Sequence, residues 1–516
     1  MKKIALCQIP GMDVRAPSQG IAVLKAIALS KGFDAKCFDL NISVWNDLVD
    51  EGLGYLWADW SIEFAYALMN DKEFHELQST SYDEETANRV LSCMHFHIDS
   101  MIYEYDPDVI GFSLFSIVQE NTARIVIDYI KENYKDIEII IGGPALRHYH
   151  EESLPKDILD KVDDYFIGDA EESFVNYLDG KKDFGGLNNI NVNMHFDRDI
   201  WPSPDYRDFD FSLYPSKWRE PHVRSSDEGT VYVTGSKGCV RACEFCDVHK
   251  IWPKFYQKQV NTVLRDIKSI REYFKFRNVF FTDSLINGSN KFIKDLSQGI
   301  IDEFGEKPFS WSGQWICKSK KSFTEEYFEI ASRAGLNQII VGIESGSEKV
   351  RWEMNKKFYN EDIYFTLEMC RKYNILFIPL MIAGYPTETD DDFKQTLDLA
   401  KKWIEYRDVV RPTCINMMML LPGTDVTIDH DKYQLANITY AEVEAGYTPL
   451  DQNWSCGDND YEKRIERFYE YQYQIKKAEM GLGHVKRKTL KRDYLNIAKI
   501  PNPELIQKID YVNGIY

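Results

Sequence analysis

A chain of 516 residues with 44% hydrophobic content can bury more than one core, so two or three domains are expected. Its formal net charge of −20 argues against broad attraction to a nucleic-acid backbone, and no run reaches the roughly 18 apolar residues of a membrane span. The opening MKKIALCQIPGMD breaks at Gln8, Pro10 and Gly11, too early for a signal peptide, and a cytoplasmic location is expected.

Taken in order, KIALCQI at 3–9 reads as a buried strand. Ser18 can cap a following helix with Ile21, Leu24, Ile27 and Ala28 at helical spacing, ended by Gly32. A second strand over 35–40 leads into a polar and aromatic insertion reaching about Tyr105. The strand DVIGFSL, a helix, the strand IEIIIGGPA and the short DYFIGDAEES then complete a doubly wound, Rossmann-like domain over 1–180. Residues 181–228, rich in Asn, Asp, Pro and Ser, read as a connector. Six further strand candidates alternate with helical pattern: VYVTGSKGC, NVFFTDSL, FSWSGQWI, NQIIVGIES, LFIPLMIAGYP and CINMMMLLP. They predict a partial (β/α)6 barrel over 229–430 whose site lies at the carboxyl ends of its strands. Residues 431–516 read as a helical, tyrosine-rich region that packs outside or caps the site. The basic stretch from Lys476 to Arg492 reads as a solvated helix face.

Seven of the ten cysteines stand alone and read as core residues. Cys239, Cys243 and Cys246 instead crowd into C-x3-C-x2-C directly after the first barrel strand. Three thiolates on a four-iron cluster leave one iron open to chemistry. The rival reading is zinc, with His249 completing a Cys3His set in a non-catalytic interaction protein.

This loop, with Phe245 before the last cysteine, resembles the signature of the radical S-adenosylmethionine (SAM) superfamily, and the six-unit barrel is that superfamily's fold. The resemblance implies a [4Fe-4S] cluster on Cys239, Cys243 and Cys246. SAM would chelate the open iron and yield a deoxyadenosyl radical, with electrons from an external flavodoxin or ferredoxin. Other strand ends fit a SAM pocket: Asp283 for the amino group, Glu344 and Ser345 for the ribose, Gly384 for the adenine, and Gln314 toward SAM or substrate. Asp283 could equally cap the next helix, and the Glu344–Ser345 pair could also be a cap.

A doubly wound domain ahead of such a barrel is similar to the cobalamin-binding class. Ser113, Gly142, Gly143, Gly168 and Glu171 stand where that class meets its cofactor. The D-x-H-x-x-G pattern is absent: residues 8–20 hold Asp13 but no histidine. Cobalamin is therefore expected to bind with its nucleotide tail detached and no imidazole nitrogen on cobalt. The resemblance implies methyl transfer to an unactivated carbon of a small molecule or peptide, with cyclisation or rearrangement as the alternative. Methylthio transfer would need a second tight cysteine set, which Cys7, Cys37 and Cys93 do not form.

Overall fold

The computed structural model describes residues 2–12, 14–51, 84–115, 119–146, 156–181, 199–214, 229–411, 415–421, 423–438 and 454–479. The first sheet comprises β1 (Lys3–Gln8), β2 (Asp34–Asp39), β3 (Val109–Ser113), β4 (Glu138–Gly142) and β5 (Asp164–Phe166). All are parallel, in the order β2-β1-β3-β4-β5. Ile4 to Cys7 and Ile139 to Ile141 are buried on both faces, which is why these strands read as unbroken apolar runs. Their helices are α1 (Gln19–Ser30), α2 (Leu40–Asp50), α3 (Glu84–Tyr105), α4 (Glu120–Asn133) and α5 (Glu171–Leu178). In this order the connections reverse between β1 and β3, which opens a crevice beyond their carboxyl ends.

Two details depart from the sequence reading. Ser18 occupies the N-cap of α1, but its side chain makes no capping hydrogen bond. The expected insertion is also partly core: α2 and α3 bury Trp45, Leu48, Val90, Met94 and Ile98, because their apolar residues recur at helical spacing. Its remainder, 52–83, lies outside the described residues, as do Asp13, Cys414, Pro422 and the basic stretch beyond Glu479.

The second sheet holds β6 (Thr230–Val233), β7 (Asn278–Phe281), β8 (Ser310–Trp315), β9 (Leu336–Glu344), β10 (Leu376–Ala383) and β11 (Ile415–Met417). These six parallel strands stand in sequence order, with β6 and β11 at the two edges. Between them run α6 (Val260–Arg271), α7 (Asn290–Phe304), α8 (Glu325–Arg333), α9 (Asn360–Tyr373) and α10 (Asp390–Glu405). This is the partial barrel expected. Trp311, Trp315, Ile339, Val341 and Phe377 are buried. Register places Gln314, Ile340 and Ile378 side by side on the other face, where Gln314 is exposed and the two isoleucines half-buried. A closed barrel fills its interior with side chains; this one leaves that face open.

α11 (Tyr461–Glu479) lies along α10, where Trp403 Nε1 donates to Tyr471 Oη at 3.1 Å. The described part of the connector is anchored rather than loose. Lys25, 4% exposed, pairs with Asp208 at 2.6 Å and Asp205 at 3.3 Å, and Tyr206 Oη donates to the Tyr232 carbonyl of β6.

Candidate functional site

Cys239, Cys243 and Cys246 follow β6 on one loop, Cys243 buried and the other two half-buried. The loop is held by its own backbone and by its neighbours. The Cys246 amide donates to Cys243 O at 3.0 Å, the Glu244 amide to Met354 O at 3.3 Å, and the Val426 amide to Glu244 O at 3.0 Å. Asn355 Nδ2 donates to Ala242 O at 2.6 Å. The thiols are pushed up in pKa first by burial. They are not gathered within 4.8 Å of one another as ligands of one ion would be. Zinc fits this poorly and a cluster, which spreads its thiolates over different irons, fits well. His249 points Nε2 at Asp425, 2.9 Å away.

Around the loop, Glu344 takes a left-handed backbone (φ 67°) at a register shift in β9. Strain of this kind persists where the surroundings demand it and often marks a working site. Its carboxylate meets Lys356 Nζ at 2.6 Å, and Lys356 also donates to Gly342 O. Burial alone would pull the Lys356 ammonium down, but Glu344 and Cys243 outweigh it and hold it up. Sequence reasoning missed Lys356, a cation in the NKKF turn that faces the thiols.

The other expected SAM residues divide. Gln314 is exposed on the open face of the sheet. Asp283 is buried with its oxygens already engaged: Oδ2 accepts from the Gly235 amide at 2.9 Å and Oδ1 from the Ser236 hydroxyl. Burial pushes its pKa up to about 6. It does not cap α7, since Ser289 does; it braces the strand end from which the cysteine loop departs. Ser345 has its hydroxyl engaged within the chain. It is fully buried, its hydroxyl accepts from the Ser347 amide at 3.1 Å and lies 3.3 Å from that of Thr396, and the cap of the short helix Glu348–Glu353 belongs to Ser347.

Gly384 has φ 84° and a crowded flank. Its amide donates to Glu388 Oε2 at 2.7 Å, its carbonyl accepts from Asn459 Nδ2 at 3.1 Å, and a Cβ there would sit 2.3 Å from Arg464 Cγ. Arg467 Nη1 reaches Glu388 Oε2 at 3.0 Å, both side chains buried. The residues around α11 thus clamp this strand exit from behind. The sequence reading had this region pack outside or cap the site but gave no role to Asn459, Arg464 or Arg467.

In the first domain, Ser113 ends β3 opposite Gln8 and Gly142. Gly143 (φ 112°) packs so tightly that a Cβ would lie 2.3 Å from Leu114 O, whereas a Cβ at Gly168 (φ 85°) would meet nothing within 4 Å. The backbone at Gly168 therefore borders open space, as a bulky flat cofactor requires. Glu171 opens α5. Two buried amides unnoticed in the sequence pin the loop after β1: Gln119 Nε2 donates to Ile9 O at 2.8 Å, and Asn41 exchanges hydrogen bonds with Met12. Gly143→Ala should cost about 1–2 kcal/mol for the left-handed backbone and force Leu114 outward. Cobalamin titrated into the variant should bind more weakly, with a lower urea midpoint; unchanged values would show that this turn does not shape the crevice.

The carboxyl ends of the two sheets are joined by side-chain contacts. Thr234 Oγ1 and Thr282 Oγ1, after β6 and β7, both reach Gln19 Oε1 of α1, at 2.7 and 3.3 Å. Lys237 Nζ and Trp252 Nε1 both reach Asp169 Oδ1, at 3.0 and 3.3 Å.

Comparisons with known proteins bear on each part of the fold. Residues 233–400 match the family model described as Radical SAM superfamily, and 83–178 the one described as B12 binding domain. A Methanocaldococcus jannaschii protein named as a methylthiotransferase is 26% identical over 56% of the chain; the match spans 64% of that relative, just under two thirds of its length. Among solved structures, the radical SAM methyltransferase TsrM from Kitasatospora setae, with tryptophan substrate and a SAM analogue bound, superposes with TM-score 0.54 at 15% identity, covering 86% of this chain and 79% of TsrM. The cobalamin-dependent SAM radical enzyme OxsB, with aqua-cobalamin and SAM bound, gives 0.58 at 12% identity, over 96% and 71%. These two likenesses carry the fold.

Proposed function

The chain belongs to the radical SAM superfamily, in the class that carries a B12-binding domain, and from that premise we propose that it transfers a methyl group to an unactivated carbon of a small molecule or peptide. The observation that carries this reading is the meeting of the two sites: the crevice after β1 and β3 opens onto the barrel rim beside the cysteine loop, joined through Gln19 and Asp169.

When bound, the cluster supplies one-electron cleavage of SAM, and cobalamin supplies a transferable methyl group. The chain's own residues do the holding. Cys239, Cys243 and Cys246 provide the thiolates, and Lys356, fixed by Glu344, offsets their negative charge. Asp283 keeps Gly235 and Ser236 in place so that the loop leaves β6 at one angle. Gln314 presents a polar amide on the open face, and the Gly384 turn, clamped by Asn459 and Arg464, offers a flat backbone edge. Across the rim, Gly168 clears space for the cobalamin, Gly143 lets the turn after β4 pack against Leu114, Ser113 offers a hydroxyl at the crevice and Glu171 a carboxylate beside it. Asp169 holds Lys237 and Trp252 so that the gap between the sites stays narrow and dry.

The domain boundaries that go with this reading are 1–180, 181–228, 229–430 and 431–516. An external flavodoxin or ferredoxin supplies electrons in the cytoplasm. No helix among the described residues is long and apolar enough to cross a membrane.

The test is anaerobic incubation of cobalamin-loaded, cluster-reconstituted protein with SAM labelled in its methyl group. Methyl transfer expects the label on the cobalamin recovered from the mixture. Deoxyadenosine formation with cobalamin that never gains the label would favour cyclisation or rearrangement instead.

A further inference from the structure

In the first domain, α2 and α3 bring together three metal-ligating side chains that the reading above does not use. Cys93 and His97 sit four residues apart on one face of α3, and Asp47 comes from α2. His97 Nε2 lies 2.8 Å from Asp47 Oδ2, and Cys93 Sγ lies 3.6 Å from the same oxygen. All three ligand atoms fall within 4.8 Å of one another. Asp47 and Cys93 also line a cavity of about 750 Å3, together with Glu51, Glu85, Arg89 and Ser92. Arg89 is paired with Glu51, so it does not repel a cation at Asp47 as a free guanidinium would.

We propose that Asp47, Cys93 and His97 bind a zinc ion that staples α2 to α3, with its fourth position turned to the cavity and filled by water. One thiolate, one imidazole and one carboxylate form a borderline-soft set that selects zinc over magnesium or calcium. Bond lengths of about 2.0–2.3 Å place the ligand atoms of a tetrahedral zinc roughly 3.3–3.7 Å apart, so the separations here need only small side-chain turns. Binding releases the Cys93 thiol proton to solvent, leaves the neutral His97 ring with its proton on Nδ1 so that Nε2 is free to ligate, and replaces a hydrogen-bonded triad by three metal bonds. The cluster loop is the internal contrast, since its three sulfurs are not gathered in this way.

Full-length protein with its cluster reconstituted should take up one zinc per chain when Zn2+ alone is titrated against a chromophoric chelator. Zinc-edge X-ray absorption should report a single sulfur neighbour. Cys93→Ser, His97→Ala and the isosteric Asp47→Asn should each weaken zinc by more than the roughly 10–100-fold that loss of an outer-shell partner costs, with iron content and SAM cleavage unchanged. Three sulfur neighbours, or zinc lost in Cys239→Ala but retained in these three variants, would place the metal on the cysteine loop and overturn the proposal. Equal zinc affinity in wild type and all three variants would overturn it as well.

Discussion

Cys239→Ala, Cys243→Ala and Cys246→Ala should each abolish deoxyadenosine formation from SAM while leaving the protein folded. The loop lies at the rim, after β6, and its packing runs through backbone contacts to Met354 and to the amide of Val426 rather than through the thiols. Removing one thiolate leaves two ligands for a cluster that needs three to keep one iron open. Iron and acid-labile sulfide should therefore fall together with activity, and the thermal midpoint of the metal-free protein should stay within a few degrees of wild type. His249→Ala is the control: its ring is paired with Asp425, so the variant should keep its iron. SAM cleavage near the wild-type rate in any cysteine variant would remove the assignment. Loss of all metal in His249→Ala would bring the zinc reading back.

What the sequence showed and what it hid divide along contact distance. The cysteine loop was legible because its three cysteines lie within eight residues. The sheets were legible because each strand buries both faces, as at Ile4–Cys7, or alternates, as at Ser310–Trp315. The residues missed act across the chain. Gln119 reaches back to Ile9, Lys356 to Glu344, and Arg467 to Glu388; each is an ordinary polar residue in sequence, and only the fold gives it a partner. Ser345 shows a different limit: its place after a strand was legible, but not that it follows a left-handed turn at Glu344 and lies buried beside Thr396.

Arg467→Met should be the most damaging substitution outside the cysteine loop, although it lies on α11, far along the chain from every expected ligand. Glu388 is buried and burial raises its pKa to about 7 even with Arg467 pulling it down. Taking the guanidinium away strands a carboxylate in the interior, which typically costs about 3–5 kcal/mol. The loss also travels to the site, because the same Glu388 Oε2 that accepts from Arg467 accepts from the Gly384 amide. A stranded Glu388 at neutral pH takes up a proton, becomes a weaker acceptor and loosens the Gly384 turn, which the proposed function sets against the adenine. Two readouts separate the effects. Urea unfolding should show the stability loss, and SAM titration at a denaturant-free temperature well below the transition should show weaker binding in the folded fraction. Arg467→Lys, which keeps the charge but not the bidentate reach to Glu388 O and Asp390, should recover part of the stability. Full SAM affinity in Arg467→Met protein that is measurably destabilised would confine α11 to a structural role and detach it from the site.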